Sequence, residues 1–146
     1  MSTLSIATSG LSAASSRLNV AASNIANVLT TGALPATGGA GASSSASGSS
    51  NLPAVYVPLQ VNQVAQSGGS TQGGTVATVS TVSPGFVAQS DPDAPFANQD
   101  GLVAAPDVDP AGEFAQMVTA KYAFAANAKV VQSYANTTRS LLDITA

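Results

Sequence analysis

The sequence predicts a mainly α fold, in which long N- and C-terminal helices pair as an antiparallel, coiled-coil-like domain around a small β-hairpin and loop insert. Three patterns lead to this prediction: a heptad repeat at the front, a capped apolar stripe at the back, and alternating β-branched residues between them. The expected segments are an N-terminal helix over 1–32, a flexible Ala/Gly/Ser linker over 33–53, the insert over 54–108, and a C-terminal helix over 109–146.

The N-terminal helix is predicted from apolar residues that recur every seven positions. One seam position carries large residues and the other mostly small ones: Leu4, Leu11, Leu18 and Ile25 at the first, and Ala7, Ala14, Ala21 and Val28 at the second. Burying the large seam residues is worth about 8–15 kcal/mol, whereas ordering the backbone costs on the order of 25–50 kcal/mol. The helix is therefore expected to need partners on more than one side.

The C-terminal helix is predicted to begin at Asp109. This residue is the expected N-cap, Pro110 occupies the first helical position, and Glu113 lies in the first turn, where a negative charge is favourable. Large apolar residues then form a stripe that small residues complete: Phe114, Met117, Phe124, Val131, Leu141 and Leu142, with Ala120, Ala128 and Ala135.

The insert is expected to contain short strands. Residues 54–66 and 75–82 alternate β-branched residues and could pair as a hairpin, with GFVAQ (85–89) as a possible third strand. Pro58 confines the first strand to an edge or a break. Residues 36–52 contain neither charges nor residues larger than Asn and Leu, both at the end of the tract, so a flexible tract is expected there.

Composition argues against several classes of function. Charged residues make up 8% of the 146 residues, against about 25% in a typical soluble domain. With four basic residues and a net charge of −3, a nucleic-acid or anionic-lipid surface is not expected. The chain has no Cys and no His, and Asp91, Asp93 and Asp100 lack the spacing of a calcium loop. We therefore expect no enzyme, no metal and no cofactor.

Targeting signals also give expectations. The N-terminus has no basic segment followed by a continuous apolar run, so a cleaved secretory signal is not expected. No apolar run approaches the roughly 20 residues of a membrane span.

Three asparagines interrupt the first helix, which has no charge after Arg17. Asn19, Asn24 and Asn27 could form a polar outer face, mark a fraying helix end, or bind the backbone of a neighbouring subunit. Burial in a polymer favours the third interpretation, because amides can be satisfied there whereas a charge would need a partner.

Two motifs near the ends of the chain resemble the flagellar basal-body rod protein family. The front carries SRLNVAASNIANVLTTG, and the back carries DGLVAAPDVDPAGEFAQMVTAKYAFAANAKVV. The signature residues that match are Ser23, Asn24, Ile25, Ala26, Asn27, Thr31 and Gly32, then Asp100, Gly101, Glu113, Ala126 and Asn127. Phe124 stands where the family usually has Tyr, and Tyr122 where it usually has Arg. Within the family, the members that form the proximal rod are the most similar.

The resemblance implies a non-enzymatic building block of the bacterial flagellum. It implies a subunit exported by the flagellar type III apparatus without signal cleavage and assembled in the periplasm. There, both terminal helices would join copies of the same chain and other rod proteins into a tube that transmits torque. A soluble coiled-coil adaptor or export chaperone that binds a partner helix is the alternative from another class.

Overall fold

A computed structural model of the chain describes residues 3–35, 52–66 and 73–145. In chain order, its elements are α1 (Thr3–Ala26), β1 (Leu59–Ala65), β2 (Thr75–Thr81), β3 (Phe86–Ser90), β4 (Leu102–Pro106) and α2 (Pro110–Thr145). The expected flexible tract lies almost entirely outside the described residues.

The chain divides into two compact units. The first contains α1, the β1–β2 sheet and α2, over Met1–Ile25, Leu59–Ser80 and Asp109–Ala146. The second contains the β3–β4 sheet and the connecting segments, over Ala26–Pro58 and Thr81–Val108. Each sheet has two strands.

The mainly α fold class predicted from the sequence is wrong. Helices account for only about half of the described residues, and two antiparallel sheets make up most of the remaining regular structure. The coiled-coil expectation fails for a physical reason: a large-small heptad pattern does not say which set of side chains faces inward. The buried apolar side chains of α1 are Ala7, Ala13, Ala14, Val20 and Ala21, whereas Leu18 is 38% exposed.

Two hydroxyl side chains of α1 form hydrogen bonds within the helix. Thr8 donates a hydrogen bond to the Ser5 carbonyl oxygen, and Ser9 donates one to the carbonyl of Ile6, at 3.0 and 2.8 Å. Such back-bonding is how hydroxyl side chains are accommodated within a helix. The helix ends at Ala26, and a turn follows in which Thr30 N–H donates to the Asn27 carbonyl at 2.9 Å.

Helix α2 begins where the sequence predicts. The carboxylate of Asp109 accepts hydrogen bonds from the backbone N–H groups of Ala111 and Gly112, at 3.0 and 3.1 Å, so Asp109 is the N-cap. The helix continues for 36 residues. Ala120 is buried, but all the side chains from Gln132 to Ile144 are exposed.

The first sheet is the predicted hairpin. Its first strand begins only at Leu59, directly after Pro58, because proline cannot donate a hydrogen bond to a ladder. At the turn, Gln66 N–H donates to the Gly74 carbonyl at 3.0 Å, and Gly73 N–H donates to the Gln66 carbonyl at 3.1 Å. Most of the turn itself lies outside the described residues.

The second sheet contains a strand that the sequence pattern did not predict. Strand β4 pairs antiparallel with β3, from Phe86 opposite Pro106 to Ser90 opposite Leu102. Its residues LVAAP do not alternate, because four of the five are buried and a strand covered on both faces loses the period of two. The predicted third strand corresponds to β3.

A close backbone approach at Gly32 holds the second unit together. Gly32 and Ala104 exchange two backbone hydrogen bonds of 2.9 Å, which form an isolated antiparallel bridge. A Cβ atom at Gly32 would collide with the backbone of Pro53, Ala54 and Val55. Glycine is therefore required here by space.

We predict that Gly32→Ala lowers the free energy of unfolding by about 1–3 kcal/mol, because backbone atoms must shift to admit the methyl group. Urea denaturation followed by circular dichroism measures it. Gly10→Ala is the comparison variant: a Cβ there meets the side-chain amide of Asn127, at 2.6 Å from its oxygen, so one side chain must move instead of a backbone segment and a smaller loss is expected. Equal stability losses in the two variants would contradict the prediction.

Candidate functional site

Asn24 is the only buried polar side chain among residues 3–35, 52–66 and 73–145. It lies near the end of α1 and is 1% exposed. An amide removed from water is costly unless hydrogen bonds replace those it made to water. The burial of Asn24 therefore requires hydrogen-bond partners around its amide.

The amide of Asn24 binds both backbone groups of Leu59, the first residue of β1. Leu59 N–H donates to Asn24 Oδ1 at 3.0 Å, and Asn24 Nδ2 donates to the Leu59 carbonyl at 2.8 Å. A backbone N–H requires an acceptor and a carbonyl requires a donor, so these two bonds fix the orientation of the amide. The side chain thus takes the place of a neighbouring strand at the start of β1.

The same amide also reaches the other helix. Asn24 Nδ2 donates a second hydrogen bond, of 2.6 Å, to Oε1 of Glu113 in the first turn of α2. Hydrogen bonds to an ionised group are stronger than neutral ones, and a carboxylate is also favoured near a helix N-terminus. One buried side chain therefore joins α1, β1 and α2.

A cleft of about 210 Å³ borders this contact. It is lined by side chains of α1, β1 and α2: Arg17, Val20, Ala21, Leu59, Gln60, Val61, Glu113 and Gln116. Its charged groups are Arg17 and Glu113, and the rest of the lining is aliphatic or amide. These residue types suit packing and hydrogen bonding, and they include no nucleophile with an adjacent base.

A second contact joins the two helices at Gly10. The Asn127 side chain lies where a Cβ of Gly10 would be, and its Nδ2 donates to the Ala123 carbonyl at 2.8 Å. The two contacts, Gly10 with Asn127 and Asn24 with Glu113, occur in opposite order along α1 and α2. In this stretch the helices run in opposite directions, and these two contacts between them involve Gly10 and Asn24.

The residues of the predicted assembly seam fall into two environments. Half-buried side chains are Leu4, Leu11, Ile25, Val28, Met117 and Val131, and exposed ones are Leu18, Phe114, Phe124, Leu141 and Leu142. A role for these side chains in assembly stays a prediction.

The signature residues are distributed over both units. Asn24 and Gly32 are buried; Ser23, Asn27, Thr31, Gly101, Glu113 and Asn127 are half-buried; Ala26, Asp100 and Ala126 are exposed. The structure brings Asn24 and Glu113 together, and it gives Gly101 a φ of 72°, which favours glycine. Sequence reasoning missed Leu59, whose signal was its place after Pro58 at the start of a β-branched run.

The three asparagines have three different environments. Asn19 is exposed and belongs to the polar outer face of α1. Asn27 follows the last residue of the helix, and its carbonyl accepts a hydrogen bond from Thr30 N–H. Asn24 bonds to its own chain, so the expected contact with a neighbouring subunit is not needed to explain its burial.

We predict that Asn24→Asp lowers the free energy of unfolding by about 3 kcal/mol or more. The aspartate keeps an acceptor for Leu59 N–H, but it loses both donors and brings a second carboxylate against Glu113. Thermal and urea unfolding at neutral pH measure the loss. Asn19→Asp, on the exposed face of the same helix, is the matched control and should change stability by less than about 0.5 kcal/mol.

A double-mutant cycle separates repulsion from lost hydrogen bonds. Glu113→Gln alone keeps a side-chain oxygen for Asn24 Nδ2 and should cost about 1 kcal/mol. Combined with Asn24→Asp, it removes one of the two facing charges, so the double variant should be more stable than Asn24→Asp alone. A double variant less stable than Asn24→Asp would contradict the contact.

None of the helices described here is both long and apolar enough to cross a membrane.

Comparison with known families gives two matches. The family described as flagella basal body rod protein matches residues 4–33, which include α1 and Gly32. The family described as flagellar basal body rod FlgEFG protein C-terminal matches residues 99–144, which include β4 and nearly all of α2. A search of curated proteins found no match.

The two matches together span just over half of the chain, and some of its internal contacts join one matched segment to the other. Asn24 lies in the first matched segment and its partner Glu113 lies in the second. The same holds for Gly32 and Ala104. This chain therefore belongs to the flagellar basal body rod protein family.

Proposed function

We propose that this protein is a structural subunit of the proximal rod, most similar to the rod protein FlgC. In this proposal it assembles with copies of itself and with other rod proteins through its terminal helices, and the resulting shaft transmits torque. In this proposal, 1–32 and 109–146 build the shaft, 54–108 is a small β-containing insert, and 33–53 is a linker. Both family matches support the rod itself as the place of assembly.

The observation that carries this proposal is the exposed apolar end of α2. Leu141 is 60% exposed, Leu142 64% and Ile144 78%, and Tyr134 is exposed about two to three turns before them. Contiguous exposed apolar side chains on a soluble chain are typical of a surface that a partner covers. A subunit of a helical tube needs such surfaces on different faces, because its contacts are heterologous.

The low charge of α1 fits the same role. Its one charged residue is Arg17, no charge follows until Asp91, and the hydroxyls of Thr8, Ser9 and Ser16 donate to carbonyl groups of the helix itself. A helix of this kind can be surrounded by other subunits without burying an unpaired charge. The proposal also includes export through the flagellar type III apparatus without signal cleavage and assembly in the periplasm.

Localisation tests the proposal most directly. The protein should be present in purified basal bodies, and deletion of its gene should abolish motility. Both results are expected of a rod subunit. Recovery of the protein only from the cytoplasm, in complex with a partner helix, would instead identify the adaptor or export chaperone considered above and would refute the proposal.

We predict that Leu141→Asp and Ile144→Asp abolish incorporation into basal bodies and swimming, because each places a charge on an apolar contact surface. The monomer should unfold at nearly the same urea concentration, since both side chains are exposed. Ser140→Asp is the matched control: it adds the same charge at an exposed polar position of the same turn. Swimming of the Leu141 and Ile144 variants at the control's rate would exclude this surface from assembly.

A further inference from the structure

The first half of α2 carries a second exposed surface, on the side away from α1. It consists of Phe114, Val118, Lys121, Tyr122 and Lys129, and we call it the outer face of α2. All five side chains are exposed, and Tyr122 is 71% exposed. At about 100° per residue they fall within an arc of about 100°. Glu113, Ala120 and Asn127, which face inward, lie roughly opposite.

The outer face combines apolar area with two positive charges. Within the described residues of its own unit neither lysine has an ion pair, and Lys129 Nζ contacts only Gln132 Oε1, at 3.3 Å. Arg139, farther along the helix, lies one turn from Asp143, which offsets its charge. The complementary partner for the outer face is therefore an acidic surface.

Charge is divided unequally between the two units of the chain. All four basic residues belong to the first unit, whereas the second contains Asp91, Asp93, Asp100 and Asp107 and no basic residue. Of the remaining acids, Asp109 caps α2 and Glu113 binds Asn24. The available acidic surface on this chain is therefore the one in the second unit.

Hydrogen bonds within the Asp91–Gly101 loop hold the backbone that carries these aspartates in one conformation. Asp91 N–H donates to the Gly101 carbonyl at 2.9 Å, and Asn98 Oδ1 accepts from the N–H groups of Asp100 and Leu102, at 2.9 and 2.8 Å. Asp93 and Asp100 are exposed on the loop that results. Ordered carboxylates lose less freedom on binding than mobile ones.

We propose that the outer face of α2 docks against the Asp91–Gly101 loop of a second copy of this chain. The two surfaces differ in charge, and neither is complementary to itself, so the contact is head-to-tail and can repeat along an assembly. Apolar side chains supply contact area, while the lysines and aspartates select orientation and partner. This inference rests on the proposed function, since it names the partner of one surface of the assembling subunit.

Cross-linking in basal bodies tests the contact. The chain has no cysteine, so Lys129→Cys and Asp93→Cys can be placed in separate, differently tagged copies and expressed together. A dimer of the two tags is expected, at a yield several times that of Thr78→Cys with Asp93→Cys, a control with an exposed residue of β2. Equal yields in the two pairs would overturn the inference.

Charge exchange provides a second test. Lys121→Glu with Lys129→Glu should reduce incorporation into basal bodies several-fold, and so should Asp93→Lys with Asp100→Lys. The chain carrying all four changes should recover most of the incorporation, because every contact between copies then has its charges exchanged. Failure of the fourfold variant to recover would mean that another subunit covers the outer face, and would overturn the inference.

The two proposals fail in different ways. If the unaltered protein is missing from basal bodies, the proposed function is wrong. If it is present and deletion abolishes motility, but the cross-link and the charge exchange both fail, only the contact between copies is wrong.

Discussion

The packing of the first unit depends on the hydrogen bonds of one buried amide. Asn24 offers a donor and an acceptor in fixed geometry, and both are used on the backbone of Leu59, while a second donor hydrogen binds Glu113. An apolar residue of the same size would leave the N–H and carbonyl of Leu59 without partners, at a cost of about 1–3 kcal/mol each. The amide therefore fixes the first residue of β1, which Pro58 precedes, against the end of α1, and it joins the first turn of α2 to both.

Small residues at the close contacts are a second constraint. They explain why many large apolar side chains of this chain are exposed. Gly10, Ala14 and Ala21 lie on the packed side of α1, and Gly32 admits a neighbouring backbone. Because small side chains occupy the inside, many large ones remain outside, among them Phe114, Tyr122 and Leu141. Large exposed apolar side chains favour aggregation of a monomer, whereas under the proposed function they supply the surfaces by which copies recognise one another.

The two matched segments meet in both units of the chain. Asn24 and Glu113 join them in the first unit, and Gly32 and Ala104 join them in the second. In both places, hydrogen bonds of defined direction connect residues far apart in sequence. Some of the family signature residues thus form contacts within the subunit itself. The surfaces proposed for assembly lie elsewhere on the same helices.

The sequence by itself determined the local features, because these depend on neighbouring residues. It determined the two helices, the Asp109 cap, the β1–β2 hairpin and the family, through capping, alternation and short motifs. Only the tertiary structure decided which face of α1 is buried, that LVAAP is a strand, and that Asn24 binds Leu59 and Glu113. These features depend on residues brought together from distant positions. A heptad pattern does not indicate which helix face is buried, and an isolated asparagine does not indicate which residues it binds.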